Sequence, residues 1–125
     1  MSFNWAEYLN LAEALIRERA TFASEEACFR AAISRAYYSA FCAARNRARD
    51  IEGLKVKGSA EDHRLIRQHY QKSPHRERRK IGNWLARLRK RRNRADYDDV
   101  IRELDRLSAT SLTQAREILN ALKTL

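Results

Sequence analysis

Ser24 to Asp50 reads SEEACFRAAISRAYYSAFCAARNRARD, and the architecture turns on this stretch. Ser24 followed by Glu25 and Glu26 is a helix start: the hydroxyl satisfies a free amide of the first turn, and the carboxylates meet the positive end of the helix dipole. No glycine or proline interrupts the run before Gly53. Phe29, Ile33, Ala36, Tyr37, Ala40, Phe41 and Ala44 recur at helical spacing, so the segment is expected to be the central helix of a bundle.

The flanking sequence has the same character. The chain has 125 residues, the size of one domain, 1–125, with a single core. Ala, Leu, Arg and Glu dominate it, and three Gly and one Pro are all that break it, a composition that points to an all-α protein. Trp5 to about Ala20 carries Tyr8, Leu9, Ala12, Leu15 and Ile16 on one face and forms a first amphipathic helix. Glu52 to Ala60, EGLKVKGSA, is a connecting loop with two of the glycines. Ala60 to about Lys72 is a short helix presenting Leu65, Ile66, His69 and Tyr70, and Ser73-Pro74 breaks the chain before a further helix over about His75 to Arg94. Tyr97 to Glu103 suits either a loop or the start of the last helix. From about Leu104, the positions Leu107, Leu112, Ala115, Ile118, Leu119 and Leu122 make the closing helix. Short links between helices favour antiparallel neighbours, hence an up-and-down antiparallel bundle of four to five helices.

Several functional classes are excluded. No apolar run approaches the roughly 18–20 residues that span a bilayer, and MSFNWAEYLN lacks the basic-then-apolar pattern of a secretory signal. The expectation is a soluble cytoplasmic protein without membrane contact. Cys28 and Cys42 lie on one helix, roughly 21 Å apart at 1.5 Å per residue, too far to bridge, and are expected as reduced core thiols. His63, His69 and His75 are six residues apart in each step, not the four-residue spacing that puts two zinc ligands on one helical face, so no metal site is expected. The sequence has no P-loop, glycine-rich dinucleotide turn or nucleophile elbow, so no cofactor is expected either.

Charge supplies the positive signal. The net charge is +10, and the whole excess sits between Lys72 and Arg94, where eleven Lys or Arg meet one acid, Glu77. Such a field attracts polyanions, and the predominance of Arg over Lys suits bidentate phosphate contacts. Arg78, Arg79, Lys80, Arg87, Lys90, Arg91 and Arg94 are the candidate nucleic-acid-binding residues.

Within this stretch the run RLRKRRNRADYDD, Arg87 to Asp99, switches abruptly from basic to acidic. The apolar stripe Ile81, Trp84, Leu85, Leu88 continues onto Arg92 and Ala95, and Arg92 falls within about 40° of Leu85 and Leu88 around the helix. Arg92 therefore projects with the apolar residues, whereas Arg87, Lys90 and Arg94 project elsewhere. Upstream, in RAYYSAF from Arg35 to Phe41, the adjacent Tyr37 and Tyr38 diverge by ~100°. Core packing alone accounts for such an aromatic run on a central helix, and the divergence leaves open the alternative that one of the two tyrosines sits at a groove or an interface.

With these segments the chain resembles the HEPN domains, small all-helical bundles that usually dimerise and often act as metal-independent ribonucleases. RAYYSAF, DHRLI at Asp62 to Ile66 and above all RNRADYDD at Arg92 to Asp99 carry the resemblance. The family signature is an arginine, commonly followed by a polar residue such as asparagine, with a histidine four to six residues on. Arg92 and Asn93 match, and Tyr97 holds the histidine's place. The sequence is most similar to a HEPN subgroup with Ala-Asp-Tyr here, often found beside an MNT-type nucleotidyltransferase as toxin and antitoxin. The resemblance implies a homodimer that binds RNA and has a composite catalytic site at Arg92, Asn93, Asp96 and Tyr97. The alternative it leaves open is a non-catalytic HEPN module that binds nucleotide or nucleic acid, or docks a nucleotidyltransferase antitoxin. A tyrosine, with a pKa of ~10, is a poor base at neutral pH, which is the chemical weight behind that alternative.

Overall fold

The alanines of the long central segment explain the architecture. Ala32, Ala36, Ala40, Ala44 and Ala48 recur every fourth residue and are fully buried, so the backbone of this helix can be approached closely on that side. A computed structural model describes residues 2–125 and shows five helices, with no strand among the described residues: α1 Ala6–Arg17, α2 Glu25–Asp50, α3 Asp62–Gln71, α4 Arg76–Tyr97 and α5 Leu104–Lys123. The chain is an all-α bundle, and α2 touches each of the other four helices.

Local chemistry sets the helix ends. Ser24 caps α2 by accepting the Ala27 amide at 3.0 Å. α1 stops at Arg17, short of the expected Ala20, because Ala20 takes a left-handed conformation (φ 67°) that ends the helical path. α3 begins at Asp62 rather than Ala60, since the Asp62 carboxylate accepts the amides of Lys57 and Gly58, each at 2.8 Å, and holds residues 57–61 as a turn. α4 continues to Tyr97, nearly a turn beyond the expected Arg94. Residues 98–102 are then a connection, and Glu103 is left-handed (φ 53°) just before α5.

Side-chain contacts give the directions. Trp5 lies beside Ser39 and Arg45, while Arg19 reaches Glu25 and Phe29, so α1 is antiparallel to α2. Arg78 near the start of α4 meets Glu52, and Ala95 near its end meets Arg30, so α4 is antiparallel to α2 as well. The alternation is interrupted once. The loop after α2 folds back, α3 starts beside Tyr37 and Phe41, and Tyr70 near its end bonds the Ala44 carbonyl at 2.8 Å. Helices α2 and α3 therefore run the same way.

The core is formed by the inward faces that periodicity identifies. Leu9 and Ala12 of α1, Ile33, Tyr37 and Phe41 of α2, Ile66 and Tyr70 of α3, Ile81, Leu85 and Leu88 of α4, and Ile118, Leu119 and Leu122 of α5 are all buried. Cys28 and Cys42 are free and buried, and burial raises the Cys42 thiol above its ordinary pKa, which keeps it protonated at neutral pH. Among the described residues no helix is long and apolar enough to cross a membrane, and no group of three or more His, Cys, Asp or Glu is placed to hold a metal ion.

Candidate functional site

The last turns of α4 carry Arg92, Asn93, Asp96 and Tyr97, and an arginine from another helix holds that end in place. Arg30 of α2 donates to the carbonyls of Ala95 (3.0 Å), Asp98 (2.6 Å) and Asp99 (3.1 Å). Carbonyls at a helix C-terminus lack intrahelical partners, and a cation there also meets the negative end of the dipole. Arg30 is thus a positioning residue that sequence reading passed over.

Arg92 sits half-buried between α4 and α2. Its Nη2 donates to the Tyr38 hydroxyl at 2.8 Å, its Nη1 to Asn93 Oδ1 at 3.0 Å, and the guanidinium lies over the Tyr38 ring at 5.1 Å. Nε is 2.8 Å from Asp96 Oδ2, yet its N–H does not point at that oxygen and makes no hydrogen bond. The Arg92–Asp96 contact is therefore a charge contact within one helix turn. Tyr97 is 74 % exposed, with the Arg92 guanidinium 6.0 Å from its ring centre. The structure brings Arg92, Asn93 and Asp96 into contact and leaves Tyr97 on the rim.

The adjacent tyrosines divide as their ~100° separation requires. Tyr38 faces the groove beside Arg92, whereas Tyr37 is buried and its hydroxyl meets His63 Nδ1 at 2.5 Å. Burial raises the Tyr37 pKa well above the ordinary phenol value. His63 stacks on Phe41 at 4.3 Å and meets Tyr38 edge-on at 6.0 Å. Burial, and then the charges of Arg89 and Arg92, lower its pKa to about 4, so it is neutral at physiological pH. His69 lies at the opposite end of the bundle with Glu52, and His75 is the exposed residue before α4.

The seven basic residues singled out on α4 do not form one face. Arg78 forks onto Glu52 at 2.6 and 2.7 Å and is a tie between helices, so its guanidinium is not presented outward. Arg91 donates to Gln114 of α5, and burial followed by the nearby Arg87 charge lowers its pKa. Arg79 is exposed but folds back onto the carbonyls of Ser73 (3.2 Å) and Pro74 (2.6 Å), and Lys80 pairs with Glu77 at 3.4 Å. Arg94 pairs loosely with Asp98 at 3.7 Å. Arg87 and Lys90 are exposed with no acidic partner among the described residues.

In place of one basic face there are two grooves. One, about 440 Å³, is lined by Arg91, Arg94, Arg102 and Arg106 between the end of α4 and the start of α5. The other, about 410 Å³, lies between α1, α2 and α4 and includes Tyr38, Arg92 and Asp96 together with Tyr8, Arg35 and Arg45. The last three were not selected from sequence. The available signal was spacing: Arg35, Tyr38, Cys42 and Arg45 recur at i, i+3, i+7 and i+10, a single stripe that appears when polar residues are counted with apolar ones.

No protein-family model matches the chain, and no curated protein or solved structure is matched by it.

Proposed function

We propose that this chain is a HEPN-like domain that binds RNA and, as a homodimer, acts in the cytoplasm as a metal-independent ribonuclease toxin, partnered by an MNT-type nucleotidyltransferase antitoxin. The observation that carries the reading is the placement of Arg92: a permanently charged donor, half-buried, in a groove, at the helix end where the RNRADY motif lies. In such cleavage the 2′-oxygen of one nucleotide attacks its own 3′-phosphorus, the bond to the 5′-oxygen of the next nucleotide breaks, and charge accumulates on the phosphorane. Arg92 is suited to stabilise that charge, and Asn93 and Asp96 hold its orientation. The attacking hydroxyl must lose a proton and the leaving oxygen gain one. Tyr97 is suited to donate a proton, and His63, neutral and supplied by α3, is the imidazole at this end of the bundle.

One observation favours the second reading, a non-catalytic module that binds nucleotide or nucleic acid or docks a nucleotidyltransferase. The Arg92 guanidinium is already engaged by Tyr38, Asn93 and Asp96, an arrangement that suits holding a phosphate more than following a moving charge. Incubation of the purified protein with total RNA in EDTA separates the two. The expected result is cutting that falls at least 10²-fold in Arg92→Ala, the scale for loss of one charge-stabilising donor, with helicity retained. Undiminished cutting by Arg92→Ala overturns the site. RNA binding with a steep salt dependence and no cutting selects the second reading.

A further inference from the structure

Guanidinium groups and aromatic rings form one row along the groove between α1, α2 and α4. Arg45 lies over Trp5 at 5.4 Å, and Trp5 packs on Tyr8 at 5.3 Å. Arg35 lies between Tyr8 (4.9 Å) and Tyr38 (5.4 Å). Arg92 continues the row from Tyr38 at 5.1 Å to Tyr97 at 6.0 Å. The row spans the N-terminal segment and three helices, so no single element's periodicity produces it.

Its charge is unbalanced. Three guanidiniums share the groove with one carboxylate, Asp96, which is already against Arg92. Arg35 and Arg45 have no carboxylate within 4.0 Å among the described residues; Arg35 makes only a 3.5 Å contact to Ser34, and Arg45 bonds the neutral Asn46. Half-buried cations lose part of their hydration, and no carboxylate at ion-pair distance replaces it at Arg35 or Arg45 among the described residues. A guanidinium against a ring leaves its N–H groups out of that contact, and here they bond only neutral oxygens of Asn46, Tyr38 and Asn93, weaker acceptors than the phosphate they could donate to in the same position.

We infer that this aromatic–arginine row is a binding track for unpaired RNA, with phosphates on Arg35, Arg45 and Arg92 and bases against Tyr8, Tyr38 and Tyr97. Unpaired bases expose the faces that aromatic side chains and guanidinium planes stack on, whereas a duplex keeps those faces inside its own stack. The groove, about 410 Å³, has the volume of a small-ligand site rather than of a duplex surface. This track deepens the RNA reading above and rests on it. It moves the contact from the outer side of α4 to its inner side and adds Trp5, Tyr8, Arg35 and Arg45 to the surface that touches RNA.

The test uses the full chain, a 12-nucleotide single-stranded RNA and the duplex of the same sequence. Trp5 and Trp84 are the two tryptophans, so Trp84→Phe leaves Trp5 as the sole reporter within the row. The single strand is expected to quench Trp5 emission and to bind more tightly than the duplex. Tyr8→Ala and the conservative Arg45→Gln should each weaken single-strand binding about tenfold, the scale of one lost base stack or phosphate contact. Circular dichroism confirms that both variants fold, and if Tyr8→Ala does not, Arg45→Gln and Trp5 quenching decide. The track is overturned, with RNA binding surviving, if those variants bind like the parent while a double Arg87→Gln, Lys90→Gln variant loses affinity, or if the duplex binds equally well. Absence of any RNA binding at low salt overturns both the track and the RNA reading.

Discussion

Arg78 and Arg92 stand fourteen residues apart on α4, within about 40° of the same face, and both lie half-buried against a carboxylate. Their roles diverge because of where the carboxylate comes from. Arg78 meets Glu52, beyond the end of α2, through two aligned bonds, and Glu52 is also bound by Arg47 at 3.2 Å and His69 at 2.6 Å. The Arg78 guanidinium first, and His69 after it, pull the Glu52 pKa down to about 2. That network fastens α4 and α3 to the end of α2. Arg92 meets Asp96 of its own helix, a contact that ties no two helices together, and its one bond to another element is to the Tyr38 hydroxyl. An arginine paired across helices is structural, while one paired within its own helix remains at the disposal of a ligand.

The sharpest way to break this contrast is to truncate both arginines. Arg78→Ala should cost about 2–4 kcal/mol of stability in urea unfolding, since it leaves Glu52 short of its main partner in a site where each side chain is 17 % exposed. Arg92→Ala should cost about 1 kcal/mol or less by the same measurement, and equal losses would abolish the distinction.

A somewhat smaller effect is expected at Gly82, where α3 and α4 meet. A Cβ there would lie 2.6 Å from Gln71 Cγ, 2.7 Å from the Gln71 amide nitrogen and 3.0 Å from the Arg67 carbonyl oxygen. Backbone cannot yield as a flexible side chain does, so Gly82→Ala should lose about 1–3 kcal/mol and lower the melting temperature. An unchanged melting temperature would show that the α3–α4 contact yields to the added methyl group.

A further contrast is in pH dependence, and it separates the two ends by range. Glu52 has a folded pKa of about 2 against an ordinary 4.5, so its contribution is full above pH 4.5 and is lost as pH falls toward 2. His63 has a folded pKa of about 4 against 6.5; the unfolded chain takes up its proton first, and stability declines as pH falls from 6.5 to 4. His63→Gln should flatten unfolding free energy against pH between 4 and 6.5 and leave the slope below 4.5 due to Glu52. A slope unchanged across the upper range would mean that His63 is not held neutral by the fold.

Much of the fold was legible because helical periodicity is a local property. The apolar stripes of α2, α4 and α5 mark their buried faces, and Ser24 marks the start of α2. Helix ends were less legible: α4 runs on to Tyr97, where Arg30, more than sixty residues away, donates to the carbonyls of Ala95 and Asp98. The site was legible only in part. Periodicity picks out Arg92 as an arginine on an apolar stripe, but it picks out Arg78 equally, since that residue lies on nearly the same face. Basic composition marks seven Lys and Arg of α4 alike as nucleic-acid-binding candidates, whereas the fold commits Arg78 and Arg91 to internal partners and places Arg35 and Arg45 of α2 in the groove with Arg92.

What the sequence by itself determined is therefore the set of helices, their buried faces and a strong positive charge, since these follow from residue type and spacing along one chain segment. The tertiary structure decided which arginines are bound and which are open, that His63 from α3 lies beside Tyr37 and Tyr38, and that Trp5, Tyr8, Arg35, Tyr38 and Arg92 form a row. The physical reason is that a charge or a ring is defined by its nearest partner, and here those partners come from other helices.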